Sequence, residues 1–413
     1  MSLATAFTPL ALGPLQLPNR FIKAGTYEGM TVLAGEHQQA TAALAAHHAG
    51  IAAGGAALTT LGYVAVASDG RTFNEEMAAT VETQASLAAV AAAVHAAGGK
   101  VSLQLGHCGT MTRTPVRRHK KPGGPSKTLN LYGAAVGALF TREMTAADMR
   151  EIADEFVAAA QVAAAAGYDA VEIHMGHGYL LSQFLSPLAN RRTDEFGGSV
   201  ANRIRFPVEV ARRVVAAVGD RMAVLVKANL RDGKAGGTEV PDCIALAHAL
   251  EAVGVHALVM TGGFSPHTPM FLFRGQSMAA SMLQYEKSRW NRFLIKLGAK
   301  TPAFGDTPFE ELYFRQEALQ VRAAVKGMKL ALLGGIRSAD NVATAMADGF
   351  DAVVLGRPLL AEPDLVRQWQ AGATAGSRCI NCNRCVGEFS SGAGVRCVLN
   401  GPNDRALNQR AAG

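Results

Sequence analysis

Val171-Glu-Ile-His174-Met-Gly-His177-Gly-Tyr179-Leu-Leu-Ser-Gln-Phe-Leu-Ser-Pro-Leu-Ala-Asn-Arg-Arg-Thr-Asp-Glu-Phe-Gly-Gly198 leaves an apolar run and enters a loop that carries two imidazoles and a phenol. The run Ala170–His174 has the length and branching of a buried strand. An Ala-rich helical pattern precedes it at Ala146–Ala166, and another follows at Asn202–Val218. The same alternation extends outward in both directions. Strands are expected at Phe21–Gly25, Ala56–Val64, Val101–Leu105, Ala223–Lys227, Ala257–Met260, Leu330–Leu333 and Ala352–Leu355, with helices at Ala85–Ala97, Pro241–Ala252, Ala339–Asp348 and Pro363–Ala371. Eight strands, nearly all followed by helices, imply a closed parallel α/β barrel, the (β/α)8 or TIM-barrel fold, rather than an open doubly wound sheet. Long segments follow strands 3, 4 and 6 (106–143, 175–201 and 261–311). Such loops build the active face of a barrel.

The expected organisation is a barrel over 1–372 and a short Cys-rich C-terminal extension over 373–413, packed on or beside it. With 49% apolar and 18% charged residues, the 413-residue chain can bury a large core. The formal net charge is +7, but no basic stripe with interleaved aromatics is present, so nucleic acid is not expected as a partner. The densest basic run, Arg117 to Lys121, reads as a solvated loop or as a lid that attracts an acidic ligand. Neither a signal peptide nor a long apolar span is recognisable, so a cytoplasmic protein without membrane contact is expected.

Several residues have types and positions suited to chemistry. His174 and His177 can donate two hydrogen bonds to one carbonyl oxygen, and Tyr179 can supply a proton nearby. The competing reading makes the histidines structural or zinc-binding, although the helical HExxH context of a zinc protease is missing. Lys227 ends an apolar strand, where an unpaired ammonium would be costly. After strands 7 and 8 come Gly334-Gly335 and Gly356-Arg357, whose backbone N–H groups and guanidinium suit a phosphate. Cys379, Cys382, Cys385 and Cys397 form C-x2-C-x2-C-x11-C, a spacing able to hold a [4Fe–4S] cluster or a tetrahedral zinc. Cys108 and Cys243 read as packed thiols.

The stretch from His174 through Gly198 to Asn202-Arg203-Ile-Arg205-Phe206 resembles the signature of the Old Yellow Enzyme superfamily, which includes ene-reductases, 2,4-dienoyl-CoA reductases and trimethylamine dehydrogenases. The resemblance covers roughly 7 to 400 and begins at Leu17-Pro-Asn-Arg20-Phe-Ile-Lys-Ala-Gly-Thr26-Tyr27-Glu28. It implies FMN as cofactor. Ala24, Gly25, Thr26 and Tyr27 would approach the isoalloxazine, Gln104 would bond the pyrimidine edge, Lys227 would stand beside N1 and the C2 carbonyl, and Gly334, Gly335, Gly356 and Arg357 would hold the phosphate. Tyr27 stands where trimethylamine dehydrogenases carry their flavin-linking cysteine, so the FMN would be non-covalent. Beyond His107 the family's pattern ends in arginine, whereas this chain has Thr110.

The implied reaction is NAD(P)H-dependent reduction of an α,β-unsaturated carbonyl compound. His174, His177 and Tyr27 would bind this small-molecule substrate, and Tyr179 would donate the proton. The cysteine segment resembles the cluster-binding segment of trimethylamine dehydrogenases, which leaves iron–sulfur, zinc or no metal open. The segment Thr261 to Gly275 would form a substrate-side wall or pack at a subunit interface, since such barrels are commonly homo-oligomers. The other readings are a flavin dehydrogenase passing electrons through a cluster, a zinc hydrolase, and a redox sensor without turnover.

Overall fold

The computed structural model describes residues 3–401. Eight parallel strands close into one barrel: β1 (Phe21–Thr26), β2 (Leu58–Ala65), β3 (Lys100–Gly106), β4 (Ala170–Met175), β5 (Ala223–Asn229), β6 (Ala257–Thr261), β7 (Lys329–Leu333) and β8 (Ala352–Leu355). Eight helices run outside: α1 (Ala42–Ala53), α2 (Gln84–Ala96), α3 (Ala146–Ala165), α4 (Arg205–Val218), α5 (Val240–Ala252), α6 (Arg315–Ala324), α7 (Ala339–Ala347) and α8 (Leu365–Gln370). The barrel read from the sequence is therefore the fold.

Alternation along each strand divides the core in two. Outward residues such as Phe21, Leu103, Ile173 and Val226 pack under the helices, while Ile22, Ala170, Leu225 and Val259 face inward. A hairpin, Leu10–Leu12 paired with Leu15–Leu17, inserts four leucines against the first inward residues of the strands and closes that end. Small inward side chains leave room for this plug. At the opposite end the inward positions become Gln104, Glu172, His174 and Lys227, all buried.

The helix expected over Asn202–Val218 is broken: Val200–Arg203 ends in one turn, and α4 begins at Arg205. Pro207 lacks the N–H that would reach the Arg203 carbonyl. Beyond the break, Phe206, Val210, Val214 and Val218 recur every fourth residue and bury one face. α3 starts at a capping box in which Thr145 and Asp148 satisfy each other's backbone N–H.

The basic run after β3 is anchored. Arg118 pairs with Asp69, Glu151 and Glu155, and His119 lies 3.3 Å from Asp148. After β6, three helices (Pro269–Phe273, Ala279–Tyr285 and Arg289–Gly298) extend the mouth. Residues beyond α8 return over that mouth. Their short helix, Arg384–Glu388, packs on Ala279–Tyr285 so closely that a Cβ at Gly387 would lie 2.3 Å from the Ser281 carbonyl. The expected residues 402–413 of the extension lie outside the described residues. No helix among the described residues is long and apolar enough to cross a membrane.

Candidate active site

A cavity of about 360 Å³ opens at the C-terminal ends of the strands, large enough for a small ligand or cofactor. Each barrel residue singled out in the sequence lines it: Ala24, Gly25, Thr26 and Tyr27 from β1 and its end, Gln104 from β3, His174, His177 and Tyr179 from β4 and its loop, Lys227 from β5, Gly334 and Gly335 after β7, and Gly356 and Arg357 after β8. Cys379 and Cys385 of the returning tail also line it, whereas Cys382 and Cys397 do not.

The floor is an ion pair joined by an amide. Lys227 Nζ lies 2.9 Å from Glu172 Oε1, and Gln104 Nε2 donates to the same oxygen at 2.5 Å. Strand register produces this meeting, because Glu172 is aligned with Gln104 and His174 with Lys227. A Cβ on Gly25 would come within 2.7 Å of the Gln104 amide, so glycine lets that side chain lie against β1.

Beside this floor, His174 and His177 stand with ring centroids 5.1 Å apart, and the Tyr179 ring is 4.8 Å from His174. Burial, with His177 and the Lys227 cation close by, holds His174 well below the ordinary imidazole range. Burial and Lys227 hold His177 down at about 3. Both rings are therefore neutral near pH 7. His174 Nδ1 accepts the Gly176 N–H at 3.4 Å, which puts the ring proton on Nε2 as a free donor. His177 Nε2 is 2.9 Å from Thr261 Oγ1, and its backbone N–H donates to Asn229 Oδ1. Burial raises the Tyr179 phenol, with Glu76 adding to it, so Tyr179 keeps its proton.

The residues fit a flavin mononucleotide. Tyr27 Oη and His47 Nε2 line the cavity, are buried, and have no hydrogen-bond partner among the described residues. Gly334 and Gly335 take φ of +110° and +74°, a region that side chains strain to adopt. A Cβ on Gly356 would meet only Ala24 Cβ, at 3.8 Å, so this position borders open space in the cavity. The Arg357 guanidinium is already partly engaged. Its Nη1 donates to the Phe273 and Arg274 carbonyls and to Asn383 Oδ1, so it anchors the tail as well as facing the cavity. Arg337 also lines the site, and its Nη2 donates to the Ser377 carbonyl.

The four tail cysteines gather at one edge. Burial pushes the Cys385 thiol up to about 12, Arg357 works against this, and Cys379, Cys382 and Cys397 push it further up. Among the described residues no three of these sulfurs lie within 4.8 Å of one another. One tetrahedral zinc would draw its sulfurs to roughly 3.8 Å apart.

Glu172 was not assigned a role from the sequence, although it lies two residues before His174 on the same strand face. Tyr63, Phe73 and Phe389 were also missed. Tyr63 packs on Tyr179 at 4.7 Å, and Phe73 stacks on Tyr27 at 5.7 Å and lies tilted against Phe389 at 5.1 Å. These aromatics come from separate loops, and no local pattern links them. From the segment Thr261 to Gly275, Thr261, Ser265, Leu272 and Phe273 line the cavity.

Known proteins resemble the chain in sequence and in fold. The model of the NADH:flavin oxidoreductase / NADH oxidase family matches residues 5–268. The chain is 37% identical over 396 residues to the 4,4'-dithiodibutanoate disulfide reductase of Rhodococcus erythropolis, covering 95% of this chain and 94% of that one. A structure of morphinone reductase superposes with a TM-score of 0.66 at 26% identity, over 90% of this chain and 92% of its own. Histamine dehydrogenase from Rhizobium sp. 4-9 shares the fold, with a TM-score of 0.75 at 21% identity, over 96% of this chain and 52% of the longer neighbour.

Proposed function

The chain belongs to the NADH:flavin oxidoreductase / NADH oxidase family, and on that premise we propose that it uses non-covalently held FMN and NADH or NADPH to reduce an activated C=C bond. The observation that carries this reading is the neutral pair His174 and His177 beside the protonated Tyr179, at one end of a cavity floored by Lys227. Bound FMN would supply the two-electron hydride chemistry that links the nicotinamide to the substrate.

The chain's own residues do the rest. Lys227, fixed by Glu172, presents a cation where reduction adds negative charge, and Gln104 orients the same edge. Gly334, Gly335, Gly356 and Arg357 hold the phosphate. His174 and His177 bind the substrate oxygen and stabilise the charge that develops there. Tyr27 bounds the substrate space, and Tyr179 delivers a proton to the α-carbon.

A second reading is favoured by Cys379 and Cys385, which line the same cavity. A [4Fe–4S] cluster held by Cys379, Cys382, Cys385 and Cys397 would carry electrons between the flavin site and an external acceptor. A disulfide, the substrate class in the name of the Rhodococcus relative, needs two electrons and two protons, as a C=C bond does.

Anaerobic turnover with NADH and NADPH against 2-cyclohexenone, an aliphatic disulfide and ferricyanide separates these readings. Formation of cyclohexanone supports the C=C reading. Turnover with the disulfide or ferricyanide alone moves the assignment to the second reading, and flavin without any turnover leaves a sensor. A protein that carries zinc on His174 and His177 and refuses FMN is the hydrolase alternative.

A further inference from the structure

Arg113 lies in the long loop after β3, half-buried, with its guanidinium 5.4 Å from the centre of the Phe73 ring and 4.5 Å from that of Tyr132. Among the described residues no carboxylate lies within ion-pair distance of it, and its side chain donates no hydrogen bond, although its backbone N–H donates to the Thr72 carbonyl. Glu286, whose field reaches it, already accepts from Ser288 N–H at 2.8 Å and Asn291 Nδ2 at 3.4 Å. Burial works against its charge, which Glu286 offsets from a distance.

Other arginines of the molecule show the contrast. Arg192 and Arg315 each meet a carboxylate through two nitrogens, and Arg118 meets three acids. Aromatic faces give a cation about 0.5–2 kcal/mol and leave its five N–H donors to solvent or a ligand. The fork of Arg113 matches an oxyanion that the protein does not itself provide. Phe73, against which it rests, lines the cavity, while Arg113 itself stands just outside the lining. The cation therefore stands behind the Phe73 wall of the cavity.

We propose that Arg113 is an anion subsite, and that the substrate carries a carboxylate held there while its reacting group lies at His174 and His177. This deepens the C=C reading and rests on it for the position of the reacting group. The residue positions substrate and takes no part in bond making, so its loss raises KM for acidic substrates.

The test compares trans-4-oxopent-2-enoate with its methyl ester, using the FMN-loaded protein and the variants R113Q and R113K. Calorimetric binding is measured alongside turnover. Wild type is expected to bind the acid at least tenfold more tightly than the ester. R113Q is expected to lose that preference with the ester unchanged, and R113K to restore part of it. Equal binding of acid and ester by wild type overturns the proposal, as does an equal loss for both in a normally folded R113Q. Preferential binding of the acid without its reduction sustains the anion subsite and counts against the C=C reading alone.

Discussion

Lys227 Nζ and Glu172 Oε1 meet at 2.9 Å between adjacent strands, with the two side chains only 2% and 1% exposed. A buried pair of this kind is costly to break from one side, because the remaining charge has neither water nor a partner. Glu172→Gln is expected to destabilise the fold by roughly 3–5 kcal/mol, read as a lowered urea midpoint. Lys227→Met should weaken FMN binding and lower the flavin potential. An unchanged potential would remove Lys227 from the flavin edge.

His174 and His177 are expected to act on the substrate and not on the nicotinamide step. Replacing either with alanine should lower kcat/KM for an enone by about 10²–10³, with flavin reduction by NADH altered far less. Stopped-flow measurement of the two half-reactions separates these effects, and equal losses in both would contradict the assignment.

Tyr179→Phe removes a proton and keeps the ring contacts with Tyr63 and His174. Enone reduction should fall by about 10²-fold or more, while ferricyanide, which needs no proton on carbon, is reduced at the wild-type rate. A variant that keeps full enone activity would exclude Tyr179 as the donor.

The barrel was legible in the sequence because its strands are short apolar runs joined to Ala-rich helices, and Ala352–Leu355 has the expected bounds unchanged. Glycines and charged residues at strand ends marked the cavity for a similar reason. Glu172 stayed hidden because a carboxylate inside a strand acquires meaning only when register brings Gln104 and Lys227 beside it. Arg357 showed its charge but not its second contact, since Asn383 and Phe273 reach it from distant segments. The tail's position over the mouth depends on Val395 N–H reaching the Glu28 carbonyl at 2.7 Å, a contact with no local sequence signal.

Stability should depend on pH from two sides. Burial pushes the Glu76 carboxyl from its ordinary 4.5 up to about 8, against the Thr72 and Phe73 N–H groups, Tyr63 and Arg71. Its folded pKa is raised, so its contribution is full below about 4.5 and is lost as pH rises through 8. His177 is depressed from 6.5 to about 3, so its contribution is present above 6.5 and is lost as pH falls towards 3. Thermal unfolding should show both limbs in wild type. Glu76→Gln should flatten the alkaline limb alone, by up to a few kcal/mol. An alkaline limb that persists in this variant would show that Glu76 is not its source.

The most direct test is an anaerobic titration of the purified protein with NADH, followed by addition of 2-cyclohexenone, with the visible spectrum recorded throughout. The account predicts a flavin released on denaturation as FMN, bleached by NADH in the native protein and restored by enone with one cyclohexanone formed per flavin. A colourless protein that does not take up added FMN, or a bound flavin that NADH and NADPH both leave oxidised, would contradict it.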